Sequence, residues 1–228
     1  MAILYIIATP IGNLEDITER ALRILSEADL ILCEDTRVTK KLLDHYQIKT
    51  LTLSYHQHSK IQKINYIIDL LKEGKKLALV SDAGTPGISD PGNKLIEEVI
   101  DTGLALDIVP LPGPSAATTA ASISGFSMDR FLFLGFPPTK KKRKKFFEEI
   151  ISSEYPVIFY ESPYRIMKTL KELQLETENH NLKPKIVVCR ELTKKFETIY
   201  RGQVKQVIEQ IKKGAIKGEF VVLVEGKN

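Results

Sequence analysis

The sequence has few cysteines and histidines, which argues against a disulfide framework or a zinc site. There are two cysteines and four histidines in 228 residues. Cys33 and Cys189 lie in separate apolar segments without a CxxC partner, and no two histidines have HxxxH or HExxH spacing. We therefore expect two buried free thiols and no metal site.

Long apolar runs and a dinucleotide-binding fingerprint are also missing. No segment approaches the ~20 consecutive apolar residues of a membrane-spanning helix. The opening residues, MAILYIIATP, predict a strand rather than a basic leader. The turn after this strand lacks GxGxxG, so an ordinary dinucleotide site is not expected. On these grounds we expect a cytoplasmic protein.

Length and periodicity favour an α/β fold with two lobes. The chain is 43% hydrophobic and 27% charged, which is ordinary for a globular protein. Its length suits two lobes of about 110 residues each. Strands alternate with helices through residue 125, which predicts a mostly parallel sheet covered on both faces. We place the lobes at residues 1–118 and 119–228.

Apolar patterns and capping residues predict the elements within each lobe. Asp16 to Glu19 has capping-box spacing, while Asp90-Pro91 and Ser162-Pro163 each suggest a cap followed by a first helical residue. Strands are predicted at residues 3–8, 30–33, 51–55, 77–80 and 105–109, and then at 131–136, 156–160, 185–190, 196–201 and 220–224.

Two loops carry candidate chemistry. Residues 80–92, VSDAGTPGISDPG, join an apolar strand to a helix, and their glycines allow a backbone to approach a ligand closely. The alternative is a crossover loop of no special role. EDTR at residues 34–37 groups two acids, a hydroxyl and a guanidinium at a strand end; alternatively, Asp35 or Thr36 caps the next helix. His56-Gln57-His58 is a weak metal pattern, because alternate residues of an extended chain point to opposite faces.

Charge is unevenly distributed along the chain. The first 120 residues carry 12 Lys or Arg against 16 Asp or Glu, and the remainder carries 21 against 13. Six consecutive cations, KKKRKK, occupy residues 140–145. This asymmetry predicts that the second lobe contacts a polyanion, with nucleic acid as the first candidate. The alternative is a lysine-rich composition without a partner.

Seven motifs, taken together, are far more specific than any one of them. They are YIIATPIGNLEDIT at 5–18, EDTR at 34–37, SDAGTPGISDPG at 81–92, PLPGPSA at 110–116, FYESPYR at 159–165, CREL at 189–192 and GEFVVLVEG at 218–226. In order and spacing they resemble the ribosomal RNA small subunit methyltransferase I family, of the tetrapyrrole-methylase-like class. The resemblance covers essentially the whole chain, although KKKRKK is denser in charge than the family pattern calls for.

The resemblance implies a homodimeric methyltransferase that binds S-adenosylmethionine in the cleft between its lobes. The implied substrate is a cytidine in the decoding region of small-subunit (16S) rRNA, methylated on the ribose 2′-oxygen. The implied cofactor contacts are Ile11, Gly84, Thr85, Ile88, Ser115 and Ala116, followed by Tyr160, Cys189 and Glu219.

The chemistry of this transfer suggests further roles. A methyl sulfonium is already activated and needs no metal, whereas a ribose hydroxyl needs a base or an oriented acceptor. We expect Asp35 and Asp82 near the reaction centre and Arg37 on a phosphate or the target nucleotide; Glu161 is a further candidate base. The residues expected to contact RNA phosphates are Lys140, Lys141, Lys142, Arg143, Lys144, Lys145 and Arg165.

Two other functions fit the same sequence. One is a methylase of a small tetrapyrrole-like molecule, which would have no use for KKKRKK. The other is a nonenzymatic RNA-binding or assembly factor that kept the cofactor fold. Binding of S-adenosylmethionine distinguishes the second alternative from an enzyme.

Overall fold

The computed structural model describes residues 2–56, 61–90 and 92–227. It divides the chain into two compact units, Met1–Ser115 (unit 1) and Ala116–Asn228 (unit 2). The sequence places this division after residue 118. Among the described residues, no helix is long and apolar enough to cross a membrane.

Unit 1 contains a five-stranded sheet in which all pairings are parallel, with strand order β3-β2-β4-β1-β5. The strands are β1 (Ile3–Ile7), β2 (Leu30–Cys33), β3 (Thr52–Ser54), β4 (Lys76–Val80) and β5 (Asp107–Leu111). The helices are α1 (Glu19–Glu27), α2 (Thr36–His45), α3 (Ile61–Lys72) and α4 (Asn93–Asp101), and a 3₁₀ turn covers Leu14–Asp16.

Both faces of the unit 1 sheet are buried, as the sequence predicts. Leu77 and Leu79 of β4 pack in one apolar cluster with residues of α3 and α4. Ala78 and Val80 pack in a second cluster with residues of α1 and α2. Because alternate strand residues point to opposite faces, a continuous apolar run is what a doubly covered parallel strand requires.

Unit 2 contains a mixed five-stranded sheet with strand order β6-β7-β10-β8-β9. Its strands are β6 (Leu132–Phe133), β7 (Val157–Glu161), β8 (Lys185–Arg190), β9 (Thr198–Gln203) and β10 (Phe220–Val224). Its helices are α5 (Ala116–Ser122), α6 (Arg143–Ser152), α7 (Ile166–Asn179) and α8 (Val204–Lys212). Among the described residues of unit 2, only β6 and β7 pair in parallel. Helices α6, α7 and α8 cover one apolar cluster, while α5 contacts β7 and β10.

Several predicted element boundaries are wrong for local reasons. Thr18 caps α1, since its hydroxyl accepts from Ala21 N at 3.1 Å, whereas Asp16 lies in the 3₁₀ turn. The strand predicted at 131–136 is shorter in the structure, where β6 covers Leu132–Phe133. Leu134 N and Gly135 O still bond to β7, but Gly135 has φ +61°. A positive φ departs from the extended conformation that a strand needs.

Two predicted proline caps are also wrong. Helix α4 begins at Asn93 after Gly92, not at Asp90; Pro91 lies outside the described residues. Helix α7 begins at Ile166, because the residues after Ser162 form a turn first, in which Arg165 N donates to Ser162 O at 3.1 Å. The pattern at 56–58 cannot be compared beyond His56, since residues 57–60 lie outside the described residues.

Candidate functional site

Three loops of unit 1 meet at the carboxyl ends of the strands in its parallel sheet. They follow β1, β4 and β5, which are neighbours in the order β4-β1-β5. Thr9 N donates to Gly84 O at 2.9 Å, and Gly84 N donates to Thr9 O at 3.0 Å. Thr85 Oγ1 donates to Pro114 O at 3.3 Å. The loop that the sequence predicts to bind a ligand is therefore fixed to both neighbouring loops.

Two buried hydroxyls hold the first residues of the central loop. Thr9 Oγ1 donates to Ser81 O at 3.0 Å, and Ser81 Oγ donates to Gly84 O at 2.9 Å. Both side chains are buried, so these bonds are shielded from water. No role is predicted from the sequence for Thr9 or Ser81, although each directly follows an apolar strand segment.

Gly84 is favoured by its backbone conformation, whereas a Cβ there would make ordinary van der Waals contacts. Its φ is +88°, and a Cβ at this position would lie 3.5 Å from Ile11 Cγ2 and 3.7 Å from Pro114 O. Residues other than glycine rarely adopt this conformation. The structure thus brings together Ile11, Gly84 and Thr85, three of the predicted cofactor contacts, while Ile88 in the same loop is 47% exposed.

Three acidic residues, Glu34, Asp35 and Asp82, follow the carboxyl ends of β2 and β4. We call them the acidic group. Asp35 N donates to Asp82 Oδ1 at 3.0 Å, so the main chain of one predicted catalytic residue orients the carboxylate of the other. Asp35 also caps α2, because Oδ1 accepts from Arg37 N at 2.8 Å. The capping interpretation of Asp35 is therefore confirmed, and this cap also places Asp35 beside Asp82.

Arg37 forms a bidentate ion pair with Asp35. Arg37 Nη2 lies 2.6 Å from Asp35 Oδ2, and Nε lies 3.0 Å from Oδ1. The Arg37 side chain is 87% exposed, so its guanidinium is accessible to a ligand. Hydrogen bonds from the side chain and backbone of Arg37 lower the pKa of Asp35 to about 2. Asp35 is therefore ionised at neutral pH and loses its pairing only as the pH falls toward that pKa.

Glu34 has the opposite electrostatic environment. Burial raises its pKa, the charges of Asp82 and Asp35 raise it further, and His56 partly opposes the shift. A carboxylate with a raised pKa takes up a proton more readily than one with a lowered pKa. Glu34 lies in the polar group that the sequence predicts, but no role is predicted for it there, because only its packing distinguishes it from Asp35.

Two predicted cofactor contacts of unit 2 lie on neighbouring sides of β10, near the ends of β7 and β8. Val221 pairs with Tyr160 on one side and with Cys189 on the other. Tyr160 Oη accepts from Ala117 N at 3.2 Å, which places it at the start of α5 beside Ala116. The carboxylate of Glu219 lies 2.9 Å from Lys194 Nζ.

Both cysteines are buried and free, as the sequence predicts. Burial raises the pKa of Cys189 to about 11 and also raises that of Cys33. Cys189 is fully buried, so its thiol is shielded from a ligand.

These thiols should not react in the folded protein. At pH 8 a soluble disulfide reagent should modify neither cysteine rapidly, because each is buried and predominantly protonated. Both should react after unfolding in denaturant. Absorbance of the released thiolate measures the stoichiometry, and one rapidly reacting thiol per native chain would contradict the structure.

The KKKRKK segment does not form a uniform set of surface cations. Arg143 is buried, and its side chain is only 10% exposed. Its guanidinium donates to Glu172 Oε2 at 2.7 Å, Thr169 Oγ1 at 2.7 Å and Pro138 O at 2.9 Å. The prediction that Arg143 contacts RNA is therefore wrong. The exposed members of the segment are Lys140, Lys141, Lys142, Lys144 and Lys145.

Glu161 belongs to the same buried network. Its side chain is fully buried, lies 2.9 Å from Arg165 Nη2 and accepts from Thr169 Oγ1 at 2.6 Å. The hypothesis that Glu161 acts as a base is therefore wrong. The Arg165 side chain is 28% exposed and also donates to Pro137 O at 3.2 Å.

Removing the Arg143 side chain should destabilise the protein strongly. Arg143→Ala would remove the donor to Pro138 O, Thr169 and Glu172; because Glu172 is partly exposed and Thr169 keeps its bond to Glu161, we expect a loss of about 1–3 kcal/mol. Lys144 is the matched control, because its side chain is 79% exposed. Lys144→Ala should change the free energy of unfolding by less than about 0.5 kcal/mol. Urea denaturation measures both, and equal values would contradict a buried role for Arg143.

Comparison with known proteins decides the family. Residues 3–208 match the model of the Tetrapyrrole (Corrin/Porphyrin) Methylases. Ribosomal RNA small subunit methyltransferase I of Halalkalibacterium halodurans is 47% identical over 224 residues, which are 98% of this chain and 75% of the relative. That of Thermotoga maritima is 45% identical over 227 residues, the full length of both. The chain belongs to the ribosomal RNA small subunit methyltransferase I family.

Two solved structures confirm the fold. Diphthine synthase aligns with a TM-score of 0.74 at 15% identity, covering 100% of this chain and 91% of that one. Cobalt precorrin-4 methyltransferase aligns with a TM-score of 0.71 at 20% identity, covering 98% and 94%. At such low identity the likeness supports the shared architecture of two α/β lobes.

The cofactor of this family of methyltransferases is S-adenosylmethionine, and the unit 1 loops fit it. Residues 83–89 and 112–115 include no charged side chain. They present main-chain groups, hydroxyls and the exposed side chain of Ile88. Such a surface suits a ligand with an apolar nucleoside part and polar ends that bind main-chain groups. The part of the chain that the structure describes contains no cluster of three or more potential metal ligands.

Proposed function

We propose that this protein methylates the ribose 2′-oxygen of a cytidine in the decoding region of 16S rRNA, using S-adenosylmethionine. The family supports an rRNA methyltransferase. The observation that carries the proposal is the connection between the central loop and the acidic group. Asp82 lies two residues before Gly84 in the same loop and accepts from Asp35 N. The cofactor and the proton-accepting groups would thus lie together at the carboxyl ends of the unit 1 strands.

The cofactor would be held mainly by main-chain groups. In unit 1 we propose contacts from Ile11, Gly84, Thr85, Ile88 and Ser115. In unit 2 we propose Ala116, Tyr160 and Glu219, together with the main chain of Cys189. When bound, S-adenosylmethionine supplies an electrophilic methyl group on a positively charged sulfur.

The remaining chemistry belongs to the acidic group. A ribose hydroxyl attacking a methyl group must lose its proton, so an acceptor must be oriented toward the oxygen. Asp82 Oδ1 is already oriented by Asp35 N, at the end of β4. Asp35 orients Arg37, whose exposed guanidinium would bind a phosphate of the target strand. Glu34, with its raised pKa, would take up a proton released within this group.

The exposed lysines of unit 2 favour RNA over a small tetrapyrrole-like substrate. Lys140→Gln, Lys141→Gln and Lys145→Gln combined should weaken RNA binding and reduce its salt dependence. Each lost phosphate contact on single-stranded RNA lowers the log–log slope by about 0.7. Lys205, Lys212 and Lys213, exposed at the end of unit 2 in and beside α8, provide the matched control triple. Unchanged methylation and salt dependence in the first triple would favour a small substrate.

Analysis of cellular rRNA tests the proposed function. We expect 16S rRNA from cells lacking this protein to lose one ribose methyl group on a cytidine, which nuclease digestion and mass spectrometry detect. The wild-type gene should restore the methyl group. An unchanged methylation pattern would exclude this activity.

We also propose that the protein acts in the cytoplasm as a homodimer. Light scattering measures its molar mass in solution and so tests the dimer.

A further inference from the structure

Unit 2 exposes one aromatic side chain on each of two hydrogen-bonded segments, the first of which leads into the lysine segment. Phe136 is 51% exposed and Tyr164 is 96% exposed. Neither belongs to the apolar cluster of unit 2, whose members lie between the sheet and α6, α7 and α8. Aromatic side chains are costly to leave in water, so grouped exposed rings indicate a binding surface.

The two rings lie on segments that run side by side. Tyr160 N donates to Gly135 O at 2.8 Å, and Arg165 Nη1 donates to Pro137 O at 3.2 Å. Phe136 lies between these two bonds along the chain. Its ring packs edge-on against Tyr160, with 5.6 Å between centroids. Phe136 is therefore fixed in orientation although half of it is exposed.

A buried network holds the same segment where it leads into the lysines. Arg165 binds Pro137 O, and Arg143 binds Pro138 O at 2.9 Å. Thr169 connects both sides, since it donates to Glu161 and accepts from Arg143. Three residues that the sequence suggested for catalysis or RNA contact thus position the segment that carries Phe136 and Lys140.

We propose that Phe136, Tyr164, Lys140 and Lys141 form one surface, the aromatic–lysine face, which binds an unpaired segment of RNA. The rings would stack on bases and the lysines would bind phosphates. This inference rests on the proposed function and names how its RNA substrate is recognised. Proteins bind single strands by this combination, because unpaired bases offer ring faces that a duplex keeps stacked.

The charge of the face favours RNA over another protein surface. Lys140, Lys141 and Lys142 are all exposed, and residues 121–228 carry 21 Lys or Arg against 13 Asp or Glu. A second copy of the chain that presented the same face would bring the same excess of positive charge to the contact. A polyanion is the complementary partner.

The test compares binding to paired and unpaired RNA. The probes are an unpaired oligoribonucleotide of about 12 nucleotides and the duplex with its complement. Tyr164→Ala and Phe136→Ala should each weaken binding to the single strand about 10-fold and leave duplex binding and the salt slope unchanged. Tyr164→Phe should bind as the wild type does. Tyr66→Ala is the control, because Tyr66 is a 52% exposed aromatic residue on α3.

The expected result is thus a loss of affinity for unpaired RNA only. Thermal melting verifies that the variants are folded. Wild-type affinity of both alanine variants for the single strand would overturn the inference. So would a change in oligomeric state without a change in RNA affinity, because the face would then join two copies. If these variants methylate small subunits at the wild-type rate, the inference fails while the proposed function stands. If the wild type shows the stacking effect but transfers no methyl group, only the proposed function fails.

Discussion

Replacing Gly84 with valine should lower the affinity for S-adenosylmethionine at least about 100-fold, or about 2.7 kcal/mol. Gly84 has φ +88°, a conformation that costs a β-branched residue about 1–3 kcal/mol. The strain is relieved only if the loop moves, which breaks the paired bonds between Gly84 and Thr9. The added side chain also crowds Ile11. Calorimetry measures the affinity.

Gly74 provides a control with the same backbone strain. Its φ is +83°, and among the described residues no atom lies within 4 Å of a Cβ placed there. Gly74→Val should therefore lose similar stability but bind the cofactor with wild-type affinity. Normal affinity in Gly84→Val, or equal losses of affinity in both variants, would contradict a cofactor site at the central loop.

Asp35→Asn should lower kcat at least about 10²-fold, the cost of misplacing a group that positions the substrate, because the charge that orients Arg37 is lost; cofactor affinity should be almost unchanged. Asparagine still caps a helix, so α2 should remain intact. The charge that holds Arg37 and lies beside Asp82 is lost. Steady-state methylation of small subunits gives kcat, and calorimetry gives the cofactor affinity.

Two further variants test whether the loss is specific to Asp35 and whether Asp82 shares it. Asp44→Asn changes an exposed carboxylate on the same helix and should leave kcat within about twofold, as surface changes usually do. Asp82→Asn keeps an oxygen that can accept from Asp35 N but removes the charge, and should cause a loss similar to that of Asp35→Asn. Full activity of Asp35→Asn would remove Asp35 from the reaction.

Local sequence patterns predict the buried strands, because burial on both faces requires a continuous apolar run. The run at 77–80 reads as a strand buried on both faces, and the structure pairs and covers it on both sides. Strands at 185–190 and 220–224 coincide with β8 and β10 for the same reason. Caps are harder to predict, since Asp16 and Thr18 are both good capping residues and the chain path decides between them.

Side-chain roles within the site depend on tertiary contacts that spacing does not reveal. Arg143 stands among lysines in the sequence, but the first turn of α6 directs it toward Glu172 and Thr169. Glu161 follows an apolar strand as Asp82 does, yet Arg165 and Thr169 enclose it. The connection from Asp35 to Asp82 spans residues far apart in the chain. It arises only because β2 and β4 are neighbours in the sheet.

Transfer of a labelled methyl group is the most direct test of the account. Purified protein is incubated with methyl-labelled S-adenosylmethionine and small ribosomal subunits from cells lacking the protein, and the rRNA is then digested and analysed by mass spectrometry. We predict one labelled methyl group per subunit, on the ribose of a single cytidine, and none with Asp35→Asn. Label on a base, or no label in the rRNA, would contradict the proposed reaction.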